Sequence, residues 1–468
     1  MDWRTRYADK LVTAEEAVKA VNSGDQVYVG MFNSTPETLA LALLARKDEL
    51  RDVTIQHHVS PFLWATPETA EAFKLVTSFT TPADRQQVHA GLADYLPIGN
   101  FRESAVKEVF GQIDVTLVKT SPPNENGYMS FGPALWINRT ACDVSKQIIC
   151  EVDERLIRTY GENFIHISEV AHLIEHRASD DREAPIPPRT EEVVAAAEVI
   201  CTLIAADLIN DGDTLQIGIG DVSAAMAVYL EDKHDLGLQT ELIPGGVVSL
   251  VERGVINGKY KEIAPGKVVG SAFAAVPPEE LALVHENPKF ELWDFCHTDD
   301  LRTLVRETNF VAINNALQID MTGQITAETL NGQVYSGPGG QTVFAVAASY
   351  SEGGRSIIAV PSSSTVDGER HSRIVPVLPP RHDGDRAAHL RRLRGDGVRH
   401  RHAQGQDGAA AGGGADRRRP PRLPRRAARA GGEAVPRLAA AEGQWQRSGR
   451  ASHGCRRPST ATSYRSSR

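Results

Sequence analysis

The sequence predicts an α/β fold of two similar, open, mainly parallel sheets, and three observations carry that expectation. The first is an internal duplication: residues 14–30, Ala-Glu-Glu-Ala-Val-Lys-Ala-Val-Asn-Ser-Gly-Asp-Gln-Val-Tyr-Val-Gly, match residues 202–218, Thr-Leu-Ile-Ala-Ala-Asp-Leu-Ile-Asn-Asp-Gly-Asp-Thr-Leu-Gln-Ile-Gly. The second is the shared continuation of both copies: a further helical segment and then an extended run, Val53–Val59 in the first and Leu238–Ile243 in the second. The third is the alternation of helical patterns with short apolar strands, which favours parallel pairing through helical crossovers.

Taken in order, each copy starts as an apolar helix that stops at a Gly-Asp turn, Gly24-Asp25 or Gly212-Asp213. A strand comes next, then a glycine (Gly30, Gly218) that opens the next helix. The proline-rich stretch Ala184–Arg189, flanked by acids, reads as the linker. These signals predict one domain over 1–185, a second over 190–380, and a tail over 381–468. In the tail the periodicities stop, and Arg, Ala, Gly, Pro and His take over, as in Arg417–Arg419 and Ala409–Ala415. Such a segment buries no core and is expected to be disordered.

The 468 residues suffice for two or three domains, and 41% hydrophobic with 24% charged residues describes an ordinary soluble, enzyme-like chain. The net charge of −9 hides an asymmetry: residues 381–468 hold 21 Arg, no Lys and 7 acids, which leaves 1–380 at −23. The body is acidic, so the basic tail is no argument that the whole protein binds nucleic acid, and a basic arm for nucleic acid is the minor reading of the tail. Arg-rich, Lys-free sequence is typical of GC-rich coding DNA read out of register, so a frame change after Pro380 is the preferred origin of the tail. One codon choice for Leu393–Arg399, read one base later, spells Tyr-Val-Val-Thr-Glu-Tyr. The charged start lacks a signal peptide's apolar stretch, and no run reaches membrane-spanning length. The five cysteines, Cys142, Cys150, Cys201, Cys296 and Cys455, form no CxxC pair, which points to a reducing, cytoplasmic compartment and away from structural zinc.

Glu241 is the most informative residue. It is a carboxylate inside the apolar, strand-like run Leu236–Gly246, with Gly218-Ile-Gly220 upstream and Ser336-Gly-Pro-Gly-Gly-Gln341 downstream. A buried carboxylate is paired, capped or reactive. With glycine-rich backbone on both sides it reads as a nucleophile served by main-chain N–H groups, against the plainer reading of a paired structural Glu. The rival is a dinucleotide site: Gly218-Ile-Gly-Asp-Val-Ser223 lies after a strand, and Glu241 would hold a ribose hydroxyl of NAD in a dehydrogenase. The fingerprint lacks its third glycine, which weighs against it.

Several segments together resemble the acetyl-CoA hydrolase/transferase family, which includes 4-hydroxybutyrate, butyrate and succinate CoA-transferases. They are Ser121–Gly132, Asp213–Gly220 leading to Leu236–Gly246, Ala312–Gln324, Ser336–Phe344 with Gly353–Ser362, and Ser372–Leu378, in family order across 1–380. The shifted-frame Tyr-Val-Val-Thr-Glu-Tyr resembles the segment the family carries at that point. The resemblance implies two open parallel-sheet domains of the CoA-transferase, NagB/RpiA-like type. It implies CoA transfer between an acyl-CoA, such as acetyl-CoA, and a small carboxylic acid through a glutamyl-CoA thioester, with ping-pong kinetics. By motif position Glu241 is the nucleophile; Gly339, Gly340, Gln341 and Asn314 serve the oxyanion or substrate; Gly218, Gly220 and Gly337 admit CoA. No bound cofactor or metal is implied, coenzyme A being substrate and product, and family members are often homo-oligomers, dimers or tetramers. Acetyl-CoA hydrolysis at the same site and an inactive, frame-changed remnant are the alternatives. Val343 stands where the family commonly has an Asp two residues after the Gln, which bears on substrate preference.

The remaining motifs read as structural. His172-Leu-Ile-Glu-His176 has a zinc-peptidase spacing, yet the preceding run reads as a strand where a helix is needed. His57-His58 and Cys296-His297 lack partner ligands. Ser362–Thr365 suits either CoA phosphates or a hydroxyl-capped loop.

Overall fold

In the computed structural model, residues 2–97, 111–181, 189–366 and 368–378 are described. Most of the linker and the whole tail with its frame-change reading lie outside them.

Seven strands form the first sheet: β1 (Gln26–Val29), β2 (Val53–Gln56), β3 (Phe73–Thr77), β4 (Ala93–Tyr95), β5 (Ile113–Thr120), β6 (Ser145–Val152) and β7 (His172–Glu175). Their spatial order is β7-β6-β5-β1-β2-β3-β4, and every pairing is parallel. The second sheet contains β8 (Thr214–Ile217), β9 (Gly237–Gln239), β10 (Val268–Gly270), β11 (Phe290–Leu292), β12 (Phe310–Asn315) and β13 (Arg355–Ala359), in the order β13-β12-β8-β9-β10-β11, again all parallel. Six strands thus repeat one winding. Their near-continuous apolar runs, such as Phe310-Val-Ala-Ile313, are what a parallel sheet covered on both faces requires.

The duplication reaches individual hydrogen bonds. Gly24 and Gly212 both take left-handed backbone, with φ of 86° and 81°. The following aspartate accepts from the backbone N–H three residues earlier in each copy, Asn22 to Asp25 at 2.8 Å and Asn210 to Asp213 at 2.6 Å. The glycine ending each strand then donates to the neighbouring strand, Gly30 to Leu117 and Gly218 to Ile313.

The halves are not independent. Tyr160–Gly161 leaves the N-terminal half and pairs with β11 as the far edge of the second sheet, so residues beyond 190 do not build that sheet alone. Gly161 is required there because a Cβ would collide with the Leu292 carbonyl. One apolar core runs from Tyr28 and Val118 through Phe131 and Trp136 to Leu215, Phe273 and Phe290. Trp136 packs on Phe295 at 5.3 Å, and its backbone N–H donates to the Ser271 carbonyl.

Candidate active site

The expected run Leu238–Ile243 is two strands, not one. β9 stops at Gln239, and Leu242–Pro244 pairs separately with Ala272–Ala274. The physical reason is the Thr240 side chain, whose hydroxyl lies within bonding distance of the carbonyls of Ile217 (3.2 Å) and Leu242 (3.1 Å). This turns the chain out of the ladder. Glu241 therefore sits in a break at the carboxyl ends of β8, β9 and β10, the crevice where ligands meet open α/β sheets. Its carbonyl accepts from Ser271 N–H at 2.7 Å, which anchors the backbone and leaves the side chain to project.

The carboxylate meets the N-terminus of the helix Gln341–Tyr350. Gly340 N–H donates to Glu241 Oε2 at 2.8 Å. Two effects act on the group in opposite directions: burial favours the neutral acid, and the Gly340 bond favours the anion. Burial wins, and Glu241 is pushed up to about 7. Its side chain keeps a partly open face toward a cavity of about 410 Å³.

All eight residues singled out from sequence line that cavity: Glu241, Gly218, Gly220, Asn314, Gly337, Gly339, Gly340 and Gln341. The glycines have distinct steric tasks. A Cβ on Gly218 would approach Asn314 Oδ1 to 2.6 Å, and one on Gly220 would approach Asn315 Nδ2 to 2.6 Å, so the Gly-Ile-Gly turn closes against β12. Gly337 lies on the backbone of Ser78 and Phe79, which seats the glycine-rich loop on the N-terminal half. Gly339 has φ +49°, and a Cβ there would stand 3.8 Å from Glu241 Oε2. Asn314 is buried and pairs head to tail with Gln216: Asn314 Nδ2 donates at 2.8 Å, and Gln216 Nε2 donates back at 3.2 Å. One of its two N–H groups is therefore already committed.

Sequence reasoning missed the apolar wall and the second carboxyl. Phe32, Val59, Phe79 and Trp136 come from the N-terminal half and carry no local motif. Asp299 is fully buried beside Gly340, and a Cβ on Gly340 would meet both Asp299 Oδ2 and Glu241 Oε2, so the two oxygens lie within roughly 5 Å of each other. In the polar stretch Thr298-Asp-Asp300 it looks like another helix cap, which is what its neighbours Asp294 and Asp300 are. Val343 joins the apolar cluster of Leu304, Phe310 and Phe344.

The other motifs are occupied structurally. His172–Glu175 is strand β7, and His176 is bonded by Glu151 and Asp181. Glu37, beside them, is paired by Lys119, so this His and acid group carries its own cations. His57 accepts from the Trp64 indole at 2.9 Å and His58 from Ser78 N–H at 3.0 Å. Burial pushes them down to about 3 and about 4, so both are neutral. His297 stacks on Trp293 at 4.5 Å, and burial pushes the Cys296 thiol up. Ser363–Val366 forms a hairpin strand whose Thr365 hydroxyl bonds Glu192 at 2.7 Å.

Models of the acetyl-CoA hydrolase/transferase N-terminal and C-terminal domains match residues 1–186 and 279–392. The chain belongs to the acetyl-CoA hydrolase/transferase family and is an enzyme of that type. The C-terminal match continues twelve residues past Pro380. A 4-hydroxybutyrate coenzyme A transferase of Clostridium kluyveri is 34% identical over 81% of this chain and 87% of its own length. A butyryl-CoA:acetate CoA-transferase of Anaerostipes caccae is 31% identical over 81% and 86%. RipA from Yersinia pestis superposes with a TM-score of 0.71 at 30% identity, covering 81% of this chain and 87% of that one. A 4-hydroxybutyrate CoA-transferase from Porphyromonas gingivalis does so at 0.63 and 29%, covering 81% and 88%.

Proposed function

We propose that this enzyme moves CoA between an acyl-CoA, such as acetyl-CoA, and a small carboxylic acid, with Glu241 as the covalent nucleophile. The observation that carries the reading is the Glu241 carboxylate, held at a helix N-terminus by Gly340 N–H and open to a largely apolar cavity. Glu241 attacks the thioester carbonyl, the C–S bond breaks, and CoA leaves as thiolate. The thiolate adds to the glutamyl carbonyl of the mixed anhydride, the C–O bond breaks, and the first carboxylate departs. An acceptor carboxylate reverses both steps. Backbone N–H groups of Gly339, Gly340 and Gln341 and the remaining Asn314 amide N–H serve the tetrahedral oxyanions, each such donor contributing about 3–4 kcal/mol in comparable sites. Gly218, Gly220 and Gly337 shape the wall along which the pantetheine arm runs, by letting the Gly-Ile-Gly turn close on Asn314 and Asn315 and the glycine loop seat on Ser78 and Phe79. No bound cofactor enters the scheme.

The apolar wall of Phe32, Val59, Phe79 and Trp136 favours transfer over hydrolysis, because it excludes water from the thioester. Initial velocities with acetyl-CoA and butyrate varied together test this. Parallel double-reciprocal lines are expected. Converging lines contradict the covalent route, and CoA release at full rate without a carboxylate identifies a hydrolase. The four free cysteines among the described residues, three of them buried, support a reducing, cytoplasmic setting. Assembly as a homo-oligomer belongs to the same reading, and light scattering of the purified chain tests it.

A further inference from the structure

We propose that Asp299 is a second functional carboxyl of this site, a neutral, proton-carrying partner that leaves Glu241 as the sole bearer of negative charge. The inference rests on the assignment of Glu241 as nucleophile and adds a positioning residue behind it.

Asp299 is fully buried, does not line the cavity, and shares with Glu241 the side of Gly340 that a Cβ would occupy. Its Oδ1 accepts from the Thr298 hydroxyl at 2.9 Å, while its Oδ2 has no hydrogen-bond partner among the described residues. That orphaned oxygen is the one facing Gly340 and Glu241 Oε2. A buried carboxylate with one bare oxygen is far costlier than a buried carboxylic acid. The charged or titratable groups facing the pair are Asp294, buried at the cap of the helix Phe295–Thr298, and the Cys296 thiol. Among the described residues no cation faces either carboxyl. Burial and then the Glu241 charge push Asp299 well above the usual carboxylate range. The two carboxyls titrate as one coupled pair, with Glu241 ionising first.

This arrangement suits an exchange in which charge moves and protons do not. Glu241 begins as the anion. Once it is a thioester, the released carboxylate carries that charge, and then the acceptor carboxylate does. Every bond-making step therefore carries one negative charge, the site is neutral only between departure of the first carboxylate and entry of the acceptor, and no proton is taken up or lost. An ionised Asp299 would add a second charge within roughly 5 Å and oppose both Glu241 ionisation and entry of a carboxylate.

Infrared spectra of the carboxyl C=O region at pH 8, where Glu241 is ionised, test the assignment without relying on turnover. A protonated-carboxyl band is expected in the wild type, retained in Glu241→Gln and lost in Asp299→Asn; Asp299→Ser serves if the amide variant does not fold. No difference between wild type and either Asp299 variant overturns the proposal. Asp299→Asn, neutral like the acid it replaces, should also leave the acid limb of the kcat/KM profile in place. A downward move of about one pH unit or more would show that Asp299 is charged while Glu241 titrates, and would overturn it too. Failure of the Glu241 reading shows differently, as undiminished turnover in Glu241→Gln.

Discussion

At the scale of single residues, Glu241 illustrates function placed against stability. Its folded-state value of about 7 lies above the ordinary 4.5, so the fold accommodates the neutral acid better than the anion. The stability this gives is fully present below about pH 4.5 and is lost as pH rises through about 7, on the order of 1–3 kcal/mol. Glu241→Gln should therefore melt higher than wild type at pH 8, with the gap closing by pH 5, in calorimetry. The same variant should lose at least about 10³-fold in kcat/KM. Because the nucleophile must be ionised, wild-type kcat/KM should fall as pH drops below about 7. Gly340→Ala keeps the N–H but drives a methyl into both carboxyls and the Phe344 ring. It should cost about 10²-fold or more in kcat/KM with unchanged circular dichroism, since small displacements of reacting groups have that effect.

At the scale of elements, the two Gly-Asp turns make the same bond in different surroundings. Asp25 is half-buried, whereas Asp213 is buried and also pairs with Arg355 on β13. Asp213→Ala should lower stability by about 2–4 kcal/mol and Asp25→Ala by clearly less, read from urea midpoints. These turns were legible in sequence because glycine at positive φ followed by a backbone-capturing Asp is a local device. The break at Thr240 was not legible. Leu-Gln-Thr-Glu-Leu-Ile reads as one strand until the neighbouring carbonyls of Ile217 and Leu242 are in place to bind the threonine hydroxyl. Glu241 was identified by its glycine neighbours, and Asp299 was not, because its proximity arises only when the helix Leu301–Leu304 that follows it folds beside the helix Gln341–Tyr350.

At the scale of the whole molecule, a repeated winding is tied into one unit. The duplication predicted two sheets, and strand order bears out their likeness. The crossing of Tyr160–Gly161 into the second sheet escaped a reading based on local periodicity, since two residues carry none. With that strand and a core continuous across both halves, unfolding should be one event, even though multi-domain chains often depart from two-state behaviour. Tryptophan fluorescence, with Trp64 in one half and Trp293 in the other, should therefore give a transition coincident with far-ultraviolet circular dichroism. Two separated transitions would refute that expectation.

The cavity is likewise a product of the whole: Phe79 and Trp136 from one half face Glu241 and the glycine loop from the other. The most direct test of its chemistry is an intact mass spectrum of the protein incubated with acetyl-CoA, beside Glu241→Gln. An added mass of CoA less one water is expected on the wild type and none on the variant. An equal adduct on both proteins, or turnover of acetyl-CoA with butyrate and no adduct on the wild type, would contradict it.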